Sequence, residues 1–174
     1  MSSTSVMSPT ATTPGDPLFI LEMANNHMGD VEHGIRIVRE LREACAGFPF
    51  RVAVKLQYRH IPDFIHPDYR ERMDLKFVKR FSETALSWEN YRRLKDAIVE
   101  HGFLAICTPW DDLSVEKIVE HGYDYIKVPS CYLTDWPLAE KIAHSCTYYR
   151  VVSTLTWQGC CRVLHAAALG SARG

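Results

Sequence analysis

The sequence predicts an α/β fold in which successive βα units build a parallel sheet. From Pro17 onward, short apolar runs alternate with longer segments of helical period, the pattern of strands followed by packing helices. One unit is used twice. Ile98-Val-Glu-His-Gly-Phe103 returns as Ile118-Val-Glu-His-Gly-Tyr123, each copy a helix end, a glycine stop and an aromatic strand start.

Taken in order, the first strand is expected over 18–23. Asp30 then caps a helix whose apolar residues Val31, Ile35, Val38, Leu41 and Cys45 recur at spacings of three and four, marking one buried face. Gly47 and Pro49 end it. The second strand, 51–58, alternates with period two and separates Val52, Val54 and Leu56 from Ala53, Lys55 and Gln57. Residues 59–84 exceed an ordinary βα connection. A short helix around 72–81 and the aromatics Phe64, Tyr69, Phe77 and Phe81 predict a packed flap over the C-terminal edge of the sheet. Basic residues in this segment alternate with Asp63, Asp68, Glu71 and Asp74, which reads as a solvated face. Ser87 caps a helix carrying Trp88, Tyr91, Leu94 and Ile98, closed by His101–Gly102. Further strands are expected over 103–108, 124–128 and 150–154, with a helix opening at Pro137 before the last.

Composition narrows the function classes. The chain has 174 residues, 47% hydrophobic and 24% charged, an ordinary globular balance for one domain. Lys and Arg number 20 against 21 Asp and Glu, so no broad basic field invites nucleic acid or an anionic membrane. The apolar runs fall far short of the roughly 20 residues of a membrane helix. Residues 1–16, rich in Ser, Thr and Pro, lack both a basic and an apolar signal region and read as a disordered tail, so a cytoplasmic location is expected. The cysteines (Cys45, Cys107, Cys131, Cys146, Cys160 and Cys161) follow no metal or redox spacing and read as reduced thiols.

The strand ends carry the chemistry. Lys55 interrupts one apolar strand and Lys127 another, and burying an unpaired ammonium costs several kcal/mol, so both need an anion. Glu22 could pair with them, or a ligand could. Glu22 ends the first strand with Asn25, Asn26 and His27 just beyond; Gln57 ends the second and Thr108 the third, and Ser130 follows the fourth. In parallel barrels the C-terminal strand ends build the active site. Lysines suit phosphate or carboxylate, while hydroxyls and amides give directional hydrogen bonds, so a phosphorylated carboxylic acid fits the set. His27 reads equally as a loop hydrogen-bonder, and Gln57 as a satisfier of interior polar groups.

Four motifs in this order, E-M-A-N-N-H-M-G-D (22–30), V-K-L-Q (54–57), C-T-P-W-D (107–111) and K-V-P-S (127–130), resemble the sialic acid synthase (N-acetylneuraminate synthase) family over about residues 18–154. The resemblance implies an incomplete (β/α)8, TIM-type barrel of about five parallel strands. It implies a transferase that condenses phosphoenolpyruvate with an N-acylmannosamine-type amino sugar to a nonulosonic acid and releases phosphate. Lys55, Thr108, Lys127, Ser130 and Ser153 would hold phosphoenolpyruvate, with Gln57 also facing substrate. Glu22 would stand beside the reacting carbons, stabilising positive character at C2. The family's divalent metal, Mn or Mg, would be held by residues outside this chain, and the complete enzyme could be a homodimer.

Two departures qualify this. Cys131 and Tyr132 stand where the family commonly has Gly and an acidic residue, which bears on the sugar acceptor. Residues 155–174 diverge from the family, giving an expected N-terminal barrel segment over 17–154 followed by a divergent tail. Five strands cannot close an eight-stranded barrel, so the chain alone is expected to be inactive and to leave an apolar face of 52–56 uncovered. Another phosphoenolpyruvate-condensing aldose synthase and a non-catalytic anion-binding half-barrel remain alternatives.

Overall fold

The computed structural model describes residues 17–132, 135–145 and 150–153. The expected tails over 1–16 and 155–174 lie outside the described residues, as do Cys146, Cys160 and Cys161. Five parallel strands in sequence order form one sheet: β1 (Leu18–Ala24), β2 (Arg51–Tyr58), β3 (Leu104–Pro109), β4 (Tyr125–Val128) and β5 (Arg150–Ser153). Helices connect them: α1 (Val31–Ala44), α2 (Ile61–Phe64), α3 (Lys76–Glu83), α4 (Trp88–Glu100), α5 (Asp112–His121) and α6 (Trp136–Ser145). Five parallel strands with intervening helices form an open arc of an eight-stranded barrel.

Local chemistry sets the boundaries. Asp30 accepts from the backbone N–H groups of Glu32 (2.8 Å) and His33 (3.1 Å), capping α1 as expected, and Ser87 caps α4 through Asn90 N–H (3.2 Å). The twice-used unit ends both times on a left-handed glycine, Gly102 at φ 78° and Gly122 at φ 71°. Helix α3 begins at Lys76 rather than near 72, because Arg72 folds back onto Asp74 in the preceding turn. Helix α6 opens at Trp136, one residue before Pro137, with the Asp135 carboxylate accepting from Leu138 N–H (3.2 Å). Strand β4 starts at Tyr125: Asp124 N–H still donates to the Ala105 carbonyl (3.0 Å), but the Asp124 carboxylate, not a backbone carbonyl, accepts from Ala105 N–H (2.8 Å).

Period-two alternation divides the sheet. Val54, Leu56, Tyr58, Cys107 and Ile126 face the helices and pack, fully buried, with Val38, Leu94, Ile98, Ile118 and Ile142. The expectation of an uncovered apolar face on 52–56 is therefore overturned at Val54 and Leu56: helices cover that side. The opposite, concave face holds the small apolar cluster of Ala53, Ile106 and Tyr125 with Leu18, Ile20 and Leu104. Beyond that cluster, toward the C-terminal strand ends, the same face turns polar.

The flap forms only in part. Phe64 packs edge-on to Phe81 (5.2 Å between centroids) and Trp110 (5.7 Å), but Tyr69 and Phe77 are exposed. Among the described residues no helix is long and apolar enough to cross a membrane.

Candidate active site

Strand alternation places Glu22, Lys55, Gln57, Thr108 and Lys127 on the concave face. Register brings Glu22 beside Lys55 and Gln57 beside Thr108. Glu22 lies at an irregularity in β1, where pairing skips Met23 before resuming at Ala24, itself at φ 48°. Bulges of this kind re-aim side chains. Here Met23 joins the helix-side core while Glu22 stays on the concave side.

Glu22 bridges both lysines. Lys55 Nζ donates to Oε2 (2.6 Å) and Lys127 Nζ to Oε1 (3.2 Å). Pairing with Glu22, one of the readings left open by the sequence, is thus realised, and it accounts for one of two positive charges. Lys55 is buried with 3% of its side chain exposed, whereas Glu22 is 48% exposed. Burial pulls the Lys55 ammonium below its ordinary range and the carboxylate offsets this only in part. Glu22 responds differently because water still reaches it: burial pushes its carboxyl up, and the two ammonium groups more than reverse that. The net result is an ionised carboxylate between two cations and one uncompensated positive charge.

Thr108 adds a second signal. It is 2% exposed, and its hydroxyl has no hydrogen-bond partner among the described residues. A buried hydroxyl without a partner costs about 1–3 kcal/mol, so it marks a place where a ligand or water completes the structure. Ser130 is exposed in the short 3-10 turn Ser130–Tyr132 that follows β4. Ser153 ends β5 in register with Val128, and its side chain lies outside the described residues, as does that of Tyr132.

His27 behaves as a structural residue. It is buried, its Nδ1 accepts from Gly29 N–H (3.2 Å), and burial pushes its pKa down to about 4, with Arg59 and His33 adding to the effect. The imidazole is neutral at pH 7, held edge-on to Tyr91.

The sequence reading missed Arg59. It follows Lys55 and Gln57 in the same alternation, is 8% exposed, and its guanidinium lies 4.5 Å from the Phe81 ring centroid and 4.6 Å from that of Trp110. Continuing the period-two count past Tyr58 would have found it.

Among the described residues no group of three or more His, Cys, Asp or Glu could hold a metal. Glu22, already shared by two ammonium groups, does not fit a divalent cation.

Comparison with known proteins bears on this site. The NeuB family model matches residues 51–154. An uncharacterized protein of Methanocaldococcus jannaschii is 32% identical over 130 residues, 74% of this chain and 35% of that protein. Among solved structures, the Chromobacterium violaceum protein assigned as spore coat polysaccharide biosynthesis protein E is 47% identical with a TM-score of 0.79, over 86% of this chain and 45% of that one. The N-acetylneuraminic acid (sialic acid) synthetase of Leptospira borgpetersenii is 21% identical with a TM-score of 0.66, over 88% of this chain and 50% of that one, a likeness of fold. The chain thus spans about a third to a half of the relatives it matches. A barrel arc of this topology, with the family model matched from β2 through β5, places the chain in the NeuB family.

Proposed function

We propose that the concave face is the phosphoenolpyruvate half of a synthase site. Phosphoenolpyruvate would be joined there to the aldehyde of an N-acylmannosamine-type sugar, giving a nonulosonic acid. The observation that carries this is the Lys55–Glu22–Lys127 bridge with its surplus positive charge, beside the unpartnered hydroxyl of Thr108. A ligand that is both carboxylate and phosphate would draw on both ammonium groups and use Thr108 as a donor. Ser130 and Ser153, at the next two strand ends, would add hydroxyls. The relationship to a protein assigned to spore coat polysaccharide biosynthesis supports a sugar-derived acceptor.

The chemistry assigns Glu22 a further role. When C3 of phosphoenolpyruvate attacks the aldehyde carbon, a C–C bond forms and positive charge develops at C2. Water then adds at C2, and the C–O bond to phosphate breaks. A carboxylate kept ionised beside that carbon stabilises the developing charge. A divalent metal, Mn or Mg, would act in the complete synthase through residues outside these five strands, and the complete enzyme could be a homodimer. The acceptor is the least constrained element, because Cys131 and Tyr132 replace the Gly and acidic residue common in the family. By itself the chain is expected to bind phosphoenolpyruvate without turning it over, since five strands supply only part of the ring of strand ends.

Calorimetric titration of phosphoenolpyruvate into the chain tests the reading. Binding is expected, and Lys55→Ala and Lys127→Ala should each weaken it at least tenfold, about 1.4 kcal/mol. Unchanged affinity in both variants would falsify the assignment. Aldose-dependent phosphate release by this chain at about 1 per second or faster would overturn the expected inactivity.

A further inference from the structure

Arginine can only donate hydrogen bonds, and that fact fixes the chemistry of the pocket next to the lysine pair. Arg59 Nη1 donates to Asn25 Oδ1 (2.8 Å) and Nη2 donates to Gln57 Oε1. Both amides must therefore turn their carbonyl oxygens toward the guanidinium and their NH2 groups away from it, whichever way round their atoms are drawn. Asn25 corroborates this independently. Its Nδ2 donates to Thr84 Oγ1 (3.4 Å), whose own proton is committed to the Arg80 carbonyl (2.8 Å), so Thr84 is free only to accept.

The NH2 group of Gln57 has no partner among the described residues. Gln57 lines a pocket of about 230 Å³ together with Asn25, Arg59 and Arg80, and no acidic side chain lines it. The Phe81 and Trp110 rings both lie against the guanidinium, and with the two amides they hold Arg59 in position.

We propose that Arg59 is a positioning residue that fixes Gln57 as a hydrogen-bond donor, so that this pocket selects an acceptor oxygen on the second substrate and disfavours an ammonium. The polarity of the pocket rests on geometry; the identity of the second substrate rests on the synthase reading above. The oxygen could belong to a carbonyl, carboxylate or phosphate group. N-acetylmannosamine, which carries an acyl carbonyl, and mannosamine, which carries an ammonium in its place, are the probes that separate acceptor from donor.

Gln57→Glu is the informative variant, because it preserves shape and Arg59's acceptor while removing the donor. The unliganded chain is melted first. An unchanged or higher Tm is expected, since the guanidinium gains a charged partner; a fall would overturn the Arg59–Gln57 contact whatever the substrate. The two sugars are then titrated into the chain saturated with phosphoenolpyruvate. Gln57→Glu should lower the ratio of N-acetylmannosamine to mannosamine affinity at least about tenfold, the loss of one donor to a buried acceptor plus repulsion. Arg59→Lys, which keeps the charge but cannot hold two amides in one plane, should lower that ratio about threefold or more with phosphoenolpyruvate affinity retained. A ratio unmoved by either substitution overturns the proposal. If the unmodified chain binds phosphoenolpyruvate but neither sugar, the pocket is not the second-substrate site. If it binds phosphoenolpyruvate no better than it binds the sugars, the synthase reading itself falls, and the melting result still decides the contact.

Discussion

The two faces of the sheet are made by the same strands, residue by alternate residue, yet they obey different rules. On the helix side Val54, Leu56 and Ile126 are fully buried, and the tyrosine hydroxyls buried there are paired, Tyr123 donating to Tyr58 (2.9 Å) and Tyr58 meeting His121 Nδ1 (2.8 Å); His27 Nε2 is the one buried side-chain polar atom on that side without a partner among the described residues. On the concave side Lys55 and Thr108 are as deeply buried, but their polar groups are under-compensated. Burial alone therefore does not distinguish core from site in this molecule. What distinguishes them is charge: the concave side buries an ammonium of a two-lysine, one-carboxylate cluster beside an unpartnered hydroxyl, whereas the unpartnered His27 Nε2 on the helix side belongs to a neutral ring.

Substitutions should separate the faces cleanly. Leu56→Ala removes a fully buried side chain from the helix side and should cost about 3 kcal/mol in urea unfolding, with phosphoenolpyruvate affinity of the folded fraction unchanged. A large loss of affinity without loss of stability would erase the distinction.

The next largest effect is on pH dependence. Unfolded His27 takes its proton near 6.5 and folded His27 only near 4, so the unfolded state binds the extra proton first as pH falls through that interval. Stability is therefore complete above about pH 6.5 and declines toward pH 4 by up to about 3 kcal/mol from this group. His27→Gln should flatten that slope, measured by urea unfolding at pH 7 and pH 4.5; an equal slope in the variant removes His27 as its source.

Smaller effects sharpen the contrast. Tyr123→Phe, on the helix side, should cost about 1 kcal/mol because Tyr58 loses its donor. Thr108→Val, on the concave side, should do the opposite and stabilise the chain by up to about 1 kcal/mol, while weakening phosphoenolpyruvate binding. A destabilised Thr108→Val would mean that its hydroxyl is already answered within the fold.

Much of this was legible in the sequence because it is local. Asp30 and Ser87 as caps, the glycine stops at 102 and 122, and the alternation that sets Lys55 and Gln57 apart from Val54 and Leu56 all depend on residues a few positions apart. Thr108 was legible as a strand end and Lys127 as a second lysine interrupting an apolar strand; register puts both on the side of Lys55. Features that join distant segments were not legible. Arg59 meets Asn25, Phe81 and Trp110 only after folding; the pairing of Glu22 with Lys55 and Lys127 was one reading open in the sequence, and register with the irregularity in β1 decided it. The flap was half right: Phe64 and Phe81 pack because Trp110 and Arg59 await them, while Tyr69 and Phe77 stay exposed, touching only His66 and Phe81 among the aromatic rings.

Gly29 has a bearing on how such proteins can be recombined. It lies at φ 77°, and a Cβ built on it would meet the Glu83 carbonyl oxygen at 2.6 Å. The loop after β1 is thus pressed against the C-terminal end of α3, and Asn25 reaches Thr84 across the same seam. In a chimera that imports residues 59–84 from a relative, the incoming segment must match a loop some fifty residues upstream in backbone path as well as in side chains. The two segments form one unit of inheritance, and a graft that carries only one of them should misplace Asn25 and, through Arg59, Gln57.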